Sequence, residues 1–280
     1  MASSEIARIK ARAKSRKKIN DVYEDSLRAY VVHYSCQSFY DNPSGTSKRV
    51  TSIAVRNLQS AQTKSWSIHQ SAELAGELDS ITDNLDPHEK RMLDGYFAFL
   101  EAHRDATFIH WNMRDENFGF AALEHRFRVL GGQPFQLLDD RKLDLAREVV
   151  SLYGLGYVPH ESPTGKKGRL MVLVEKNHMA DIGALQGQEE AEAFERGEYL
   201  KLHQSTLRKV DILSNIFDRV HAKTLKTDAS FADKYGMHPV AITEVVKNHW
   251  LTMIILFLAA ICGAVVKYSN FFSWLSPSHK

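Results

Sequence analysis

The chain has only two cysteines in 280 residues, Cys36 and Cys262, too far apart in sequence to suggest a disulfide framework. It has no Cys-x-x-Cys, and its 13 histidines are scattered rather than set at ligand spacing, which speaks against structural zinc. The opening MASSEIARIKARAKSRKK has no apolar core of signal-peptide length, so the bulk of the chain is expected in the cytoplasm. GLGYVP, from Gly154, lacks the third glycine of a dinucleotide loop. PTGKKGR, around Gly165, lacks the spacing and hydroxyl of a phosphate loop, and no Gly-x-Ser-x-Gly nucleophile elbow occurs. No internal repeat is visible.

What remains is the composition of a folded chain: 44% hydrophobic, with 36 basic and 34 acidic residues. Its length suits one large domain or two small ones. The charge is distributed unevenly. Residues 1–18 hold seven basic residues and one acid, a net +6 that leaves −4 for the rest of a chain whose total is +2. Residues 1–28 therefore read as a basic amphipathic arm, with Ile6, Ile9, Ala13, Ile19 and Val22 among the cations. Such an arm would meet phosphates or an anionic membrane surface, or would simply be a solvated helix face.

Near the C-terminus, Trp250 to Val266 reads WLTMIILFLAAICGAVV, without a charge. The expectation is a transmembrane helix over 249–268, with a linker at 223–248 before it and a short tail at 269–280 after it. A buried core helix is the alternative. Lys223, Lys226, Lys234 and Lys247 precede the run, so the positive-inside rule places the N-terminal side in the cytoplasm: a single-pass, tail-anchored membrane protein. Ala259 with Gly263, and Ala260 with Ala264, would permit close helix pairing and hence a homo-oligomer.

Between arm and anchor, Ala29 to Phe39, Val50 to Leu58 and Lys64 to His69 read as three strands, the first two separated by the turn-rich DNPSGTSK. Pro87 to His103 has helical periodicity, Ala106 to His110 is strand-like, and Phe118 to Leu130 is a helix stopped by Gly131 and Gly132. Helices follow at Leu143 to Tyr153, with Asp144 as a cap, and over Glu189 to Asp218. A meander followed by alternating helix and strand predicts an α/β domain with a mixed sheet, over 29–222.

Three segments carry a family resemblance. FIHWNMRDENFGFAALEHRFRVLGG, LHQSTLRKVDILSNIF and AYVVHYSCQSFYD resemble the second, last and first motifs of the DEDD 3′–5′ exonucleases of the ribonuclease H-like fold, over about residues 29–220. The resemblance implies a ribonuclease H-like mixed sheet flanked by helices. It places Asp115 at a metal-binding aspartate and His203 at the general-base histidine. It also places Ser35, Gln37 and Arg208 where metal-binding carboxylates would stand. Two-metal hydrolysis needs several carboxylates to hold cations about 3.5–4 Å apart, and only Asp115 remains of four. An arginine at the last position repels a cation.

The expectation is thus a membrane-tethered, catalytically degenerate exonuclease-like module with no cofactor. It would bind nucleic acid, nucleotide or a partner protein, and a bacterial defence or surveillance role would suit the combination. His110, Asn112, Arg208, Lys209, Lys166 and Lys167 are its candidate phosphate-binding residues, with Arg208 and Lys209 replacing the metals as charge partners. His110 and Asn112 are alternatively packing residues, His203 a satisfied helix histidine, and the Lys166–Lys167–Arg169 loop an exposed turn. The competing functions are an active exonuclease using magnesium or manganese at a reorganised site, and an oligomerising membrane scaffold.

Overall fold

A computed structural model describes residues 2–37, 47–114, 117–230, 233, 254–255 and 257–265. The chain divides into two compact units, one made of 1–11 with 230–280 and the other running from Arg12 to Ala229. In the first, Arg8 Nη2 donates to Asp233 Oδ1 at 2.9 Å, and Ser230 Oγ donates to Asp233 Oδ2 at 2.7 Å.

The second unit is built on a five-stranded mixed sheet. Its strands are β1 (Ala29–Cys36), β2 (Val50–Asn57), β3 (Thr63–Ser67), β4 (Thr107–His110) and β5 (Lys142–Asp144), in the order β3-β2-β1-β4-β5. The first three strands are antiparallel neighbours, as the turn-rich link between β1 and β2 requires, while β4 runs parallel to both β1 and β5. This bears out the mixed α/β sheet and adds a strand: β5 is only three residues long and precedes its helix directly. The register between β1 and β2 shifts at Ser35/Cys36, leaving Thr51 unmatched, and Thr51 Oγ1 donates to Ser35 O at 3.1 Å.

Strand β1 is central, and apart from the half-buried Tyr30 its residues are buried. Such a strand reads as a continuous apolar run, so polar residues within it stand out. Successive side chains face opposite sides. Val32, Tyr34 and Cys36 join Met92, Tyr96, Phe97 and Leu100 of α3 (Leu85–Ala102) and Leu123 and Phe127 of α4 (Phe120–Val129). Val31 joins Val149 of α5 (Leu145–Tyr153), Leu173 of α6 (Arg169–Lys176) and Leu213 and Phe217 of α8 (Tyr199–His221). Asp144 caps α5 as the sequence suggests, its Oδ1 accepting from Ala146 N at 3.0 Å.

Helix α1 (Ala2–Glu24) forms over the basic arm, but its apolar residues share no face: Ile9 and Ala13 are exposed, whereas Ile19 is buried in the core. Several of its cations cap other helices. Arg16 Nη1 donates to Val220 O at 2.6 Å and Arg12 Nε to Leu152 O at 3.2 Å, each near a helix C-terminus, where a positive charge meets the negative dipole end. Lys18 pairs with Glu148 at 3.2 Å. The start of the expected linker also docks: Leu225 is buried, and Asn177 Oδ1 accepts from Lys226 N at 2.8 Å.

The transmembrane helix expected over 249–268 requires correction. Among the described residues no helix is long and apolar enough to cross a membrane. The positions described as helical within the expected span are 254–255 and 257–265. The remaining positions, 249–253, 256 and 266–268, lie outside the described residues. Hydropathy registers composition, whereas a span also needs a helix of about 20 residues. The transmembrane, tail-anchored description is withdrawn from the fold.

Candidate functional site

On the α8 side of the sheet, β1 presents His33 and Ser35 in place of the aliphatic residues such a strand normally buries. Buried polar groups need partners, and α8 supplies them. Thr206 Oγ1 lies 2.8 Å from Ser35 Oγ and 2.5 Å from Ser52 Oγ on β2. Ser35 Oγ donates to Glu190 Oε1 at 2.8 Å, and Ser205 Oγ donates to the same oxygen at 3.1 Å. Glu190 comes from α7 (Gly187–Glu195) and is fully buried. The last component is Lys209, whose ammonium lies 2.7 Å from Glu190 Oε1 with its side chain 7% exposed.

Because a carboxylate only accepts, the Ser35 proton points toward Glu190, while Thr206 Oγ1 donates to Leu202 O at 3.0 Å and is left to accept from Ser52. The cluster thus converges on one carboxylate oxygen, which a buried ammonium neutralises. Two features stay unsatisfied: among the described residues, Glu190 Oε2 and both ring nitrogens of His33 have no hydrogen-bond partner. Burial, reinforced by the charge of Lys209, holds His33 neutral well below the usual histidine range.

The structure brings together Ser35 and Lys209 of the residues singled out from sequence. Gln37 is exposed just beyond β1, its backbone N–H donating to Arg49 O at 2.8 Å. Arg208 is half-buried, with Nε donating to Ile182 O at 3.1 Å. His203 Nε2 lies 2.9 Å from Ser65 Oγ on β3, and burial lowers its pKa. Lys166 pairs with Asp181 at 2.7 Å, and Lys167 donates its backbone N–H to Gln186 Oε1 at 2.7 Å. Asp115 lies outside the described residues.

His110 and Asn112 belong to a second polar group, at the carboxyl ends of β4 and β5. His110 Nδ1 accepts from Met113 N at 3.2 Å, and burial lowers its pKa to about 4 against the opposing pull of Asp144. Asn112 takes a left-handed backbone, φ 57°, and its Oδ1 accepts from Arg114 Nη2 at 2.6 Å. Arg114 Nε also stands 2.6 Å from Asp144 Oδ2, an ion pair without hydrogen-bond alignment. Among the described residues no group of three or more His, Cys, Asp or Glu side chains is arranged to hold a metal ion.

Sequence reasoning missed Glu190, Ser52, Ser205 and Thr206. The available signal was the pair of polar residues in an otherwise apolar β1, which demanded buried partners without naming them. Comparison with protein-family models gave no match, and comparison with curated proteins gave none.

Proposed function

We propose that the chain is a catalytically degenerate exonuclease-like module whose role is binding, with a protein as its partner. One observation carries this reading: the Lys209 ammonium and Glu190 carboxylate close the hydroxyl cluster around Ser35, the position at which the family resemblance implies a metal-binding carboxylate. An ammonium already neutralising the cluster's carboxylate opposes entry of a divalent cation by like-charge repulsion. Three antiparallel strands, then a helix and a parallel strand, follow the order that the resemblance implies, which supports the exonuclease-like part of the reading.

A protein partner is favoured over phosphates because several cations expected to grip phosphate have internal partners. Lys209 is buried against Glu190, Lys166 holds Asp181, and Arg208 Nε is engaged by the Ile182 carbonyl. The test incubates the full chain with end-labelled single-stranded DNA and RNA, with magnesium or manganese, and scores cleavage and retention together across a salt series. The expected result is intact substrate and no salt-sensitive retention. Metal-dependent trimming that Asp115→Ala abolishes would overturn the degenerate reading, and retention falling steeply with salt would replace the protein partner with nucleic acid.

A further inference from the structure

Beside the edge strand β3, at some remove in sequence from the α8 cluster, lies a cavity of about 290 Å³. Trp66 and Met92 form apolar wall, Leu74 is 84% exposed, and Glu73 and Arg91 add opposite charges. Ser71 also lines it, from α2 (Ile68–Ala75). Its Oγ lies 3.3 Å from His88 Nδ1 on α3. On the other edge of that ring, His88 Nε2 stands 3.2 Å from Glu77 Oε2, which also accepts from Asn84 Nδ2 at 3.2 Å.

The partners fix a consistent tautomer. A proton on Nε2 faces the Glu77 carboxylate, leaving the Nδ1 lone pair toward the Ser71 hydroxyl. Ser71 and His88 are 4% and 1% exposed, so little solvent competes for either group. Glu77 lies off the line of a true hydrogen bond to Nε2, so it acts on the ring by charge at 3.2 Å. A nucleophile, a base and a carboxylate stand in series beside a cavity, the order of roles that an activated serine requires whatever the sequence order.

We propose that Ser71, His88 and Glu77 form an acyl-transfer site that opens on this cavity and takes small carboxylic esters with an apolar acyl group. Ser71 Oγ attacks the ester carbonyl carbon, and its proton passes to His88 Nδ1 as the carbonyl electron pair moves onto oxygen. Arg91, whose Nη1 donates to Ser71 O at 3.2 Å, is the cationic donor beside that oxyanion. Collapse breaks the ester C–O bond, and the departing alkoxide takes the proton from His88. Water then repeats the attack on acyl-Ser71, so that one ester and one water become one acid and one alcohol.

The test treats the full chain with a fluorophosphonate probe and, separately, with p-nitrophenyl butyrate. We expect one adduct, mapped by mass spectrometry to Ser71 and absent in Ser71→Ala, with ester turnover lost in that variant. His88→Gln should slow labelling by roughly 100-fold or more. Glu77→Gln, at a side chain 42% exposed, should slow labelling while leaving thermal unfolding unchanged, a separation that a merely structural link between α2 and α3 would not produce. No adduct on the folded wild type, or labelling and turnover that persist in Ser71→Ala, would overturn the proposal and leave the reading of the α8 cluster untouched.

Discussion

Replacing Lys209 with methionine nearly keeps the side-chain volume and removes the ammonium 2.7 Å from Glu190. The carboxylate is then left fully buried, with only the Ser35 and Ser205 hydroxyls on Oε1 and nothing on Oε2. Breaking a buried pair in this way costs about 3–5 kcal/mol, roughly a thousandfold in the unfolding equilibrium. For the unit from Arg12 to Ala229 that is a fall in Tm of about 10 °C. Guanidinium unfolding of the full chain, followed by far-UV circular dichroism, reads the change directly. The double variant Lys209→Met with Glu190→Gln removes both charges and should recover about 2 kcal/mol or more, a coupling that independent sites do not show. If Lys209→Met costs under about 1 kcal/mol, or the double variant costs the sum of the singles, the pair is not the charge balance of this site.

Two further perturbations probe the surroundings. His33, His110 and His203 are all held neutral by burial, below the ordinary histidine value, so the unfolded chain binds more protons and stability falls as pH drops through about 6.5. With His110 at about 4, that residue alone contributes a loss of about 2 kcal/mol between pH 6.5 and 5, and unfolding free energies that stay flat or rise on acidification would refute it. Gly95→Ala in α3 would ordinarily gain about 1 kcal/mol of helix propensity, but the added Cβ would meet Trp66 Nε1 at 2.6 Å and Cδ1 at 2.7 Å. Overpacking of about 1–3 kcal/mol should win, and denaturant unfolding that shows a stabilised variant would contradict it.

Strands β1 to β3 were legible because apolar runs alternate with turn residues, and helices α3, α4 and α5 because their periodicity is long or sharply capped. Strand β5 was hidden by its three residues, and Lys64 to His69 was read through as strand although Ser67 caps a new helix, its Oγ accepting from Gln70 N at 3.0 Å. At the site, Ser35 was legible through its place in the family motif. Glu190 was not, since it stands 155 residues from Ser35 and looks like one acid among several in a surface helix. The grouping of Ser71, Glu77 and His88 depends on how α2 and α3 pack, and no spacing announces it. The apolar run from Trp250 was read as a span from its composition alone, whereas among the described residues no helix is long and apolar enough to cross a membrane.

The α8 cluster owes its form to one helix serving as counterpart to several strands. At intervals of three residues, His203 reaches Ser65 of β3, Thr206 reaches Ser52 of β2 and Ser35 of β1, and Lys209 reaches Glu190. Two of these are neutral partners for hydroxyls, and the third places a cation inside the fold against the Glu190 carboxylate. A carboxylate in place of the Ser35 hydroxyl would stand beside Glu190 in a buried setting, where like charges repel strongly. Introducing a carboxylate at position 35 therefore opposes the cluster unless Glu190 is neutralised as well. Ser35, Glu190 and Lys209 therefore form one interdependent set, in which a change of charge at any one position has to be balanced at another.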